Sequence, residues 1–350
     1  MANPRHILVV RLSAIGDIAM LVPVLETFTK TYPNVKITVL SRAFVKPFFE
    51  HMKNVSFFAA DVNGTHKGIR GIYKLYKTLK DFHFDAIADM HNVIRTKLLR
   101  SYFRFSDIKM VKIDKGREDK KALTRSENKV FKQLKRTHQR YADVFAELGY
   151  PINLFTHKFP KRVKPSEKVS AFLKSHNIDL RHNLVIGIAP FAHYDSKSYP
   201  IDLMTEVVKS LSKGPNIKIL IFGGGKKEMD LVNTMIDGIE NTTNIIGKMR
   251  FKEELNLIAQ LKLMLSMDSA NSHLAAMLNV DTITLWGATH PYTGFMPFRH
   301  PLSSCLVPDL EKYPKLPSSI YGNKVIEGYE DCMRSILPQT VVNKVLENLK

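Results

Sequence analysis

The chain of 350 residues is longer than most single compact domains, so we expect two domains of about 150 to 180 residues each. With 44% hydrophobic and 24% charged residues it is not a disordered or fibrous protein, and no apolar run approaches the roughly 18 residues of a membrane-spanning helix. The two cysteines, Cys305 and Cys332, exclude a disulfide framework, and the charged segment Met1–Arg11 is unlike a signal peptide. We therefore expect a cytoplasmic protein.

Positive charge is concentrated in the first half of the chain. There are 52 Lys and Arg against 33 Asp and Glu (net +19), and residues 1–165 hold 32 basic and 14 acidic side chains, whereas residues 166–350 hold 20 and 19. A basic surface attracts polyanions such as nucleic acid, anionic lipid headgroups or a phosphorylated substrate. The alternative is a solvated helical surface without a partner.

The first half alternates between apolar runs and helical patterns. Strands are predicted at His6–Val10, Lys36–Leu40 and Asp85–Met90, and helices at Ile18–Lys30, Ile72–Lys80 and Tyr141–Leu148. The basic residues 107–140 are compatible with helix or loop. This alternation predicts a parallel sheet with helices on both faces.

The same alternation begins again after the Pro-bounded linker 160–165. Strands are predicted at Leu184–Ile188, Ile217–Phe222, Leu261–Met267 and Thr282–Leu285, and helices at Ile201–Leu211, Lys227–Asp237, Lys252–Gln260 and Thr340–Leu349. We therefore expect two facing α/β domains, residues 1–165 and 166–350, with ligands in the cleft at the carboxyl ends of the strands. The last helix is amphipathic and is compatible with packing on either domain.

The turn after the first strand carries Ser13, Gly16 and Asp17. Gly16 permits a tight turn, and Asp17 opens a helix at the carboxyl end of a strand, where catalytic residues often lie. The alternative for Asp17 is a helix cap. The turn matches neither Gly-x-Gly-x-x-Gly nor a P-loop, so it does not indicate a dinucleotide or NTPase site.

Three loops of the second half carry residues suited to a phosphorylated ligand. Lys197 lies just beyond a strand end, where it either clamps phosphate or is solvated. Three glycines, 223–225, precede a helix that contains Glu228, and Asp268-Ser269-Ala270 begins another helix. The free N–H groups of a helix start suit a diphosphate. His273 lies about one turn further along this helix. It either contacts the ligand or is a histidine of the core.

Together these stretches resemble glycosyltransferase family 9, the heptosyltransferase-like enzymes. The resemblance runs from about residue 5 to 345 and rests on residues 7–25, Lys197-Ser198-Tyr199-Pro200, Asp268–His273, residues 285–291 and Cys332–Ile336. It implies a GT-B fold, with two Rossmann-like domains and the nucleotide sugar on the second. It also implies an inverting transfer from a nucleoside-diphosphate sugar, most simply ADP-heptose, to a lipopolysaccharide-core glycolipid.

The resemblance also implies roles for individual residues. Asp17 would be the general base, and the donor would be bound by Lys197, Glu228, Met249, Asp268, Ser269, Ala270 and His273. Met249 has the alternative of a core position. Ala270 stands where the family motif has Gly, and Tyr199 where it has Trp, so the donor class is better indicated than the donor itself. No Asp-x-Asp occurs, so no metal or other cofactor is expected.

The acceptor is predicted from the basic half. An anionic glycolipid at the cytoplasmic face of the inner membrane would meet Ser13, Arg117, Lys120 and Lys121, and the protein would be a peripheral membrane enzyme. A nucleic-acid-binding protein is the alternative. It would place aromatic residues among the basic ones, but between Arg104 and His138 the only aromatics are Phe105 and Phe131. No nucleic acid partner is therefore expected. A non-catalytic scaffold of the same fold is a third hypothesis.

Overall fold

The computed structural model describes residues 5–350, and its contacts divide the chain into two compact units. Unit 1 comprises the chain up to Lys115 together with Lys135–Lys158, and unit 2 comprises Gly116–Leu134 and Phe159–Lys350. This division differs from the expected boundary at residue 165. Gly116–Leu134 belongs to unit 2 because its contacts are made there; for example, the Leu134 N–H donates to the Tyr292 carbonyl at 2.9 Å.

Among the described residues, unit 1 contains five strands and four α-helices. The strands are β1 (His6–Val10), β2 (Lys36–Ser41), β3 (Val55–Ala59), β4 (Ala86–Asp89) and β5 (Lys109–Lys112). The helices of unit 1 are α1 (Ile15–Thr31), α2 (Gly68–Lys80), α3 (Ile94–Tyr102) and α5 (Thr137–Glu147). Helix α4 (Arg117–Thr124) lies between α3 and α5 in the chain but belongs to unit 2, as does α6 (Glu167–Ser175).

The strands of unit 1 form one parallel sheet in the order β3-β2-β1-β4-β5. The central strand β1 is apolar and buried from Ile7 to Val10, as a strand covered on both faces must be. Leu75 of α2 and Leu99 of α3 pack on this sheet in the same buried cluster as Leu8.

Unit 2 repeats this plan with a six-stranded sheet. Its strands are β6 (Leu184–Ala189), β7 (Ile217–Ile221), β8 (Thr242–Asn244), β9 (Leu263–Met267), β10 (Asp281–Leu285) and β11 (Cys305–Leu306). Its remaining helices are α7 (Ile201–Ser212), α8 (Gly225–Met235), α9 (Phe251–Ile258), α10 (Ala270–Met277) and α11 (Pro338–Leu349).

The sheet of unit 2 is also parallel, in the order β11-β10-β9-β6-β7-β8. The last helix, α11, packs against α7, β9 and β10 through Val341 and Val345, which are fully buried. Of the two expected packings of this helix, the structure shows the one on the second domain, since α11 packs on unit 2.

Candidate functional site

Each sheet has one point at which the order of its strands reverses. In unit 1 the chain runs outward from β1 to β3 and then returns to the other side of β1 as β4, and in unit 2 it returns to the other side of β6 as β9. The loops that leave the two adjacent strands at such a point diverge and leave a crevice at the carboxyl edge of the sheet, where α/β proteins bind ligands. We call these places the unit 1 and unit 2 switch points.

Asp17 lies at the unit 1 switch point, in the first turn of α1. Its Oδ2 accepts an ion pair from Arg11 Nη2 at 2.5 Å and a hydrogen bond from the Ala14 N–H at 3.2 Å, while Arg11 Nη1 donates to the Met90 carbonyl at 2.6 Å. Within residues 5–350 no hydrogen bond reaches Oδ1, and the side chain is 23% exposed. Asp17 therefore does assist the helix start, with Ala14 at the N-cap position, and still presents one oriented oxygen to solvent.

Ser13, exposed in the same turn, is oriented by a buried histidine. His91 Nδ1 accepts the Leu12 N–H at 3.4 Å, and its Nε2 lies 3.3 Å from Ser13 Oγ. Burial, with the charge of Arg11 next in weight, lowers the pKa of His91 to about 3, so the ring is neutral near pH 7. Its single proton then resides on Nε2 and is donated to Ser13, which leaves the hydroxyl proton of Ser13 for a ligand.

Lys197 and Asp268 meet at the unit 2 switch point. Lys197 Nζ lies 2.8 Å from Asp268 Oδ2, and the Thr289 hydroxyl donates to the same oxygen at 2.9 Å. The two charged side chains are only 13% and 8% exposed, so Lys197 is not a solvated lysine. No second acceptor for Nζ lies among residues 5–350, which leaves two ammonium protons for an anionic ligand.

The aliphatic stem of Lys197 is held by a loop from the end of the chain. Gly322 has φ +90°, and a Cβ there would overlap the Lys197 Cδ and Cγ atoms. The Ser196 hydroxyl donates to the Gly322 carbonyl at 2.5 Å, and the Ala288 N–H donates to the Ser196 carbonyl at 2.9 Å. Lys197 is therefore fixed by its neighbours on both sides before any ligand binds.

The start of α10 follows Asp268 directly. Ser269 is the N-cap residue, but its hydroxyl bonds to that of Ser266 at 3.1 Å, so among the described residues no side chain caps the first turn. Ala270 is half-buried, and its N–H belongs to that turn, which is open to an anion. His273, one turn further, is 6% exposed.

Glu228, in the first turn of α8, and Met249, in the loop after β8, lie at the same edge of the unit 2 sheet. The Gly224 N–H donates to Glu228 Oε2 at 2.7 Å, so this carboxylate closes the glycine turn after β7, in which Gly225 has φ +81°. Met249 is half-buried in the loop after β8 and is not part of the core. The strand ends thus gather all seven predicted donor residues on one edge of one sheet.

The predicted acceptor residues divide between the units. Ser13 is in unit 1, but Arg117, Lys120 and Lys121 lie on α4, which belongs to unit 2. The assignment of these three to the basic N-terminal domain is therefore corrected. Lys120 Nζ lies 4.4 Å from the ring centre of Phe295 and 5.8 Å from that of Tyr321, which explains why α4 stays with unit 2.

Three residues that shape the site, His91, Thr289 and Gly322, were given no individual role in the sequence analysis, although Thr289 lies in the stretch 285–291 that carries the resemblance. His91 and Thr289 follow β4 and β10, so the general rule that strand ends carry functional residues marks both positions. Gly322 is far from Lys197 in the chain, and nothing in the sequence indicates their contact.

Neither a metal centre nor a membrane span is present in the part of the chain that the structure describes. Among residues 5–350, no three His, Cys, Asp or Glu side chains are grouped to hold a metal ion. No helix in the same range is both long and apolar enough to cross a bilayer.

Comparison with known proteins identifies relatives along most of the chain. The family model described as glycosyltransferase family 9 (heptosyltransferase) matches residues 72–320. The lipopolysaccharide core heptosyltransferase OpsX of Haemophilus influenzae is 23% identical over 291 residues, which are 82% of this chain and 80% of that protein.

Two solved structures have the same fold. The family 9 glycosyltransferase of Veillonella parvula superposes with a TM-score of 0.77 at 18% identity, covering 99% of this chain and 97% of that one. The Escherichia coli ADP-heptose lps heptosyltransferase II superposes with a TM-score of 0.66 at 19% identity, covering 98% of each chain. At these identities the likeness shows the fold, and it confirms the expected α/β, GT-B class.

Proposed function

This chain belongs to glycosyltransferase family 9 (heptosyltransferase), and from that premise we propose that it transfers a heptose from ADP-heptose to a phosphorylated lipopolysaccharide-core acceptor with inversion at the anomeric carbon. The resemblance seen in the sequence is confirmed, and the protein is a glycosyltransferase. The nucleic-acid-binding alternative is not favoured, because the matched relatives are enzymes of lipopolysaccharide synthesis.

The observation that carries the proposal is the ion pair of Lys197 with Asp268 at the unit 2 switch point. A buried ammonium with two protons unused, beside an uncapped helix start, suits the two phosphates of a nucleoside diphosphate. In the proposal Lys197 and the first N–H groups of α10 hold the diphosphate, and Asp268 orients Lys197. Ser269, Ala270 and His273 line the phosphate and sugar end.

The nucleoside end of the donor is proposed to lie along the neighbouring strand ends. Glu228 would accept hydrogen bonds from the ribose hydroxyls through Oε1, since Oε2 is engaged by Gly224. The half-buried Met249 would pack on the base. Adenine is the proposed base because a structural relative carries ADP-heptose in its name.

Asp17 is proposed as the general base. Its free carboxylate oxygen would take the proton of the acceptor hydroxyl, whose oxygen attacks the anomeric carbon of the heptose as the bond to the diphosphate breaks. The electron pair of that bond passes to the leaving ADP, where Lys197 stabilises the developing charge. The proposal uses fixed protein cations for this charge and requires no metal.

The acceptor and its location belong to the same proposal. Ser13, Arg117, Lys120 and Lys121 are proposed to contact an anionic glycolipid acceptor, and the enzyme is proposed to work at the cytoplasmic face of the inner membrane. The names of the relatives support a lipopolysaccharide acceptor, and the basic charge of residues 1–165 supports an anionic one.

The test combines ligand-dependent stability with product analysis. ADP at about a hundred times its Kd, with EDTA present, is expected to stabilise the protein by about 2.7 kcal/mol, and UDP and GDP by clearly less. ADP-heptose and a phosphorylated core acceptor should give an acceptor one heptose heavier, with one ADP released per transfer. Stabilisation by a different diphosphate would change the donor, and the absence of any sugar transfer would overturn the proposal.

A further inference from the structure

Helices α2 and α3 of unit 1 carry positive charge without acidic neighbours. No Asp or Glu occurs between Asp61 and Asp81 or between Asp89 and Asp107. The first interval contains Arg70, Lys74, Lys77 and Lys80, and the second contains Arg95, Lys97, Arg100 and Arg104. Apart from Arg100, which pairs with the buried Asp89 at 2.9 Å, these residues form no ion pair within residues 5–350.

Apolar side chains lie exposed among these charges. Ile69 is 69% exposed, Tyr73 is 45% exposed and Phe105 is 95% exposed. Tyr102 joins them, since its ring centre lies 5.3 Å from that of Tyr73 and its hydroxyl is 3.5 Å from the Ile69 carbonyl. Ile69, Tyr73 and Tyr102 are therefore in contact and form a cluster, whereas Phe105 stands exposed beside them in the chain.

Helix geometry places the cluster and the charges side by side. Ile69, Tyr73 and Lys77 are spaced by four residues on α2 and form one stripe, and Lys77 Nζ lies 5.4 Å from the Tyr73 ring centre. Tyr102 and Phe105 are three residues apart across a single 3₁₀ turn, in which such side chains eclipse. We call Ile69, Arg70, Tyr73, Lys74, Lys77, Tyr102, Arg104 and Phe105 the aromatic–basic face.

We propose that the aromatic–basic face docks unit 1 on the surface of an anionic lipid bilayer. Tyrosine and phenylalanine side chains partition into the headgroup region, and surrounding Lys and Arg are attracted to anionic headgroups. Apolar side chains grouped at the surface indicate an interaction site, and here the cations around them, which form no ion pair with any described residue, favour an anionic surface as the occupant. The biological purpose rests on the proposed function, because a glycolipid acceptor is held in a membrane, but the docking itself is tested separately.

Vesicle co-sedimentation of the full chain is the experiment. Binding is expected to vesicles of phosphatidylcholine with 30% phosphatidylglycerol in 0.1 M salt, and not to phosphatidylcholine alone (the composition is chosen at roughly biological charge). Lys74→Gln/Lys77→Gln should weaken binding about 25-fold, since each of the two charges near such a surface contributes about fivefold. Ile69→Ser/Phe105→Ser should weaken it about tenfold or more, because both lose apolar contact with the headgroup region.

Two control variants match these changes elsewhere on the molecule. Phe155→Ser removes an aromatic side chain that is 91% exposed in unit 1 but lies outside the face, and Lys209→Gln/Lys213→Gln removes two exposed lysines of unit 2. Both are expected to bind vesicles as the parent does. Equal binding to neutral and anionic vesicles, or equal losses in the face and control variants, would overturn the proposal.

Two further measurements separate this proposal from its alternatives. If the parent protein does not bind vesicles but binds an oligonucleotide, and the variants of the aromatic–basic face lose that binding, the face is a nucleic-acid surface and the docking proposal fails. Transfer to a water-soluble, delipidated acceptor should be unchanged in the face variants. If the parent protein transfers no sugar to this acceptor, the proposed function is overturned, but the result of the vesicle experiment is unaffected.

Discussion

The two switch points carry the same kind of ion pair in opposite arrangements. At the unit 1 switch point the cation is the more buried partner: the side chain of Arg11 is 9% exposed and that of Asp17 is 23% exposed. At the unit 2 switch point the carboxylate is the more buried partner: the side chain of Asp268 is 8% exposed and that of Lys197 is 13% exposed. Unit 1 therefore presents a carboxylate oxygen, which can accept a proton, and unit 2 presents ammonium protons, which can bind an anion. This difference supports the proposal of a general base in unit 1 and a phosphate site in unit 2.

The largest effect is expected from Asp17→Asn, which tests the proposed base at the unit 1 switch point. An amide keeps the shape of the side chain but cannot take a proton, so kcat is expected to fall by roughly 10²- to 10⁴-fold. Stabilisation by ADP should be unchanged, because the nucleotide is assigned to unit 2. The control is Asp81→Asn, an exposed residue of unit 1 beyond α2. An unchanged rate for Asp17→Asn would exclude Asp17 as the general base.

The unit 2 pair is tested by Lys197→Met. This change removes the proposed phosphate ligand and leaves Asp268 buried without its cation. The variant should therefore lose ADP stabilisation and about 3 kcal/mol of unfolding free energy. Lys197→Met/Asp268→Leu should recover the stability but not the ADP response. Lys209→Met, an exposed lysine on α7, serves as the control, and undiminished ADP binding by Lys197→Met would contradict the assignment.

A smaller effect is expected from the glycine that supports Lys197. Gly322→Ala adds a Cβ that overlaps the Lys197 stem, so ADP binding should weaken several-fold, and the left-handed φ adds a strain of about 1 kcal/mol. Gly328 has φ +78° with nothing near its Cβ position. Gly328→Ala therefore adds the same kind of backbone strain without displacing Lys197, and serves as the control. Isothermal titration of both variants with ADP decides between them. Equal affinities would mean that the loop does not position Lys197.

Glu26, a buried carboxylate of unit 1, provides a structural contrast to the two ion pairs. Glu26 is 3% exposed, and its two carboxylate oxygens each lie 2.6 Å from a histidine Nε2, those of His51 and His157. Burial alone would raise the pKa of Glu26, but the hydrogen bonds from His157 and His51 outweigh it and hold the pKa below its ordinary value.

A lowered pKa means that ionised Glu26 stabilises the fold above its unfolded-state pKa, near 4.5, and that this stability is lost as the pH falls through the folded-state value. Glu26→Gln should therefore lower the unfolding free energy at pH 7 by about 1 to 3 kcal/mol and flatten its decline in acid. The rate of transfer at pH 7 should not change. Denaturant titrations from pH 3 to 7 measure the unfolding free energy, with Glu147→Gln, at an exposed position, as the control. If the unfolding free energy of Glu26→Gln declines in acid as steeply as that of the parent, Glu26 does not cause the decline.

The sequence predicted the central strands well and the edge strands not at all. β1, β2, β4, β6, β7, β9 and β10 were all expected within a few residues, and β3, β5, β8 and β11 were missed. The four missed strands are the two edges of each sheet. An edge strand is partly exposed and needs no continuous apolar run, so the period and composition that identify a buried strand are absent.

Sequence by itself determined the family, the two parallel sheets and the residues at the strand ends, because strand–helix alternation and the motifs beside it are local patterns. Only the tertiary structure decided which residues meet: Lys197 with Asp268, Gly322 behind Lys197, His91 beneath Ser13, and α4 on unit 2. It also decided the exposure of each partner in an ion pair. Contacts between residues far apart in the chain depend on packing, and no local pattern of charge or hydropathy encodes them.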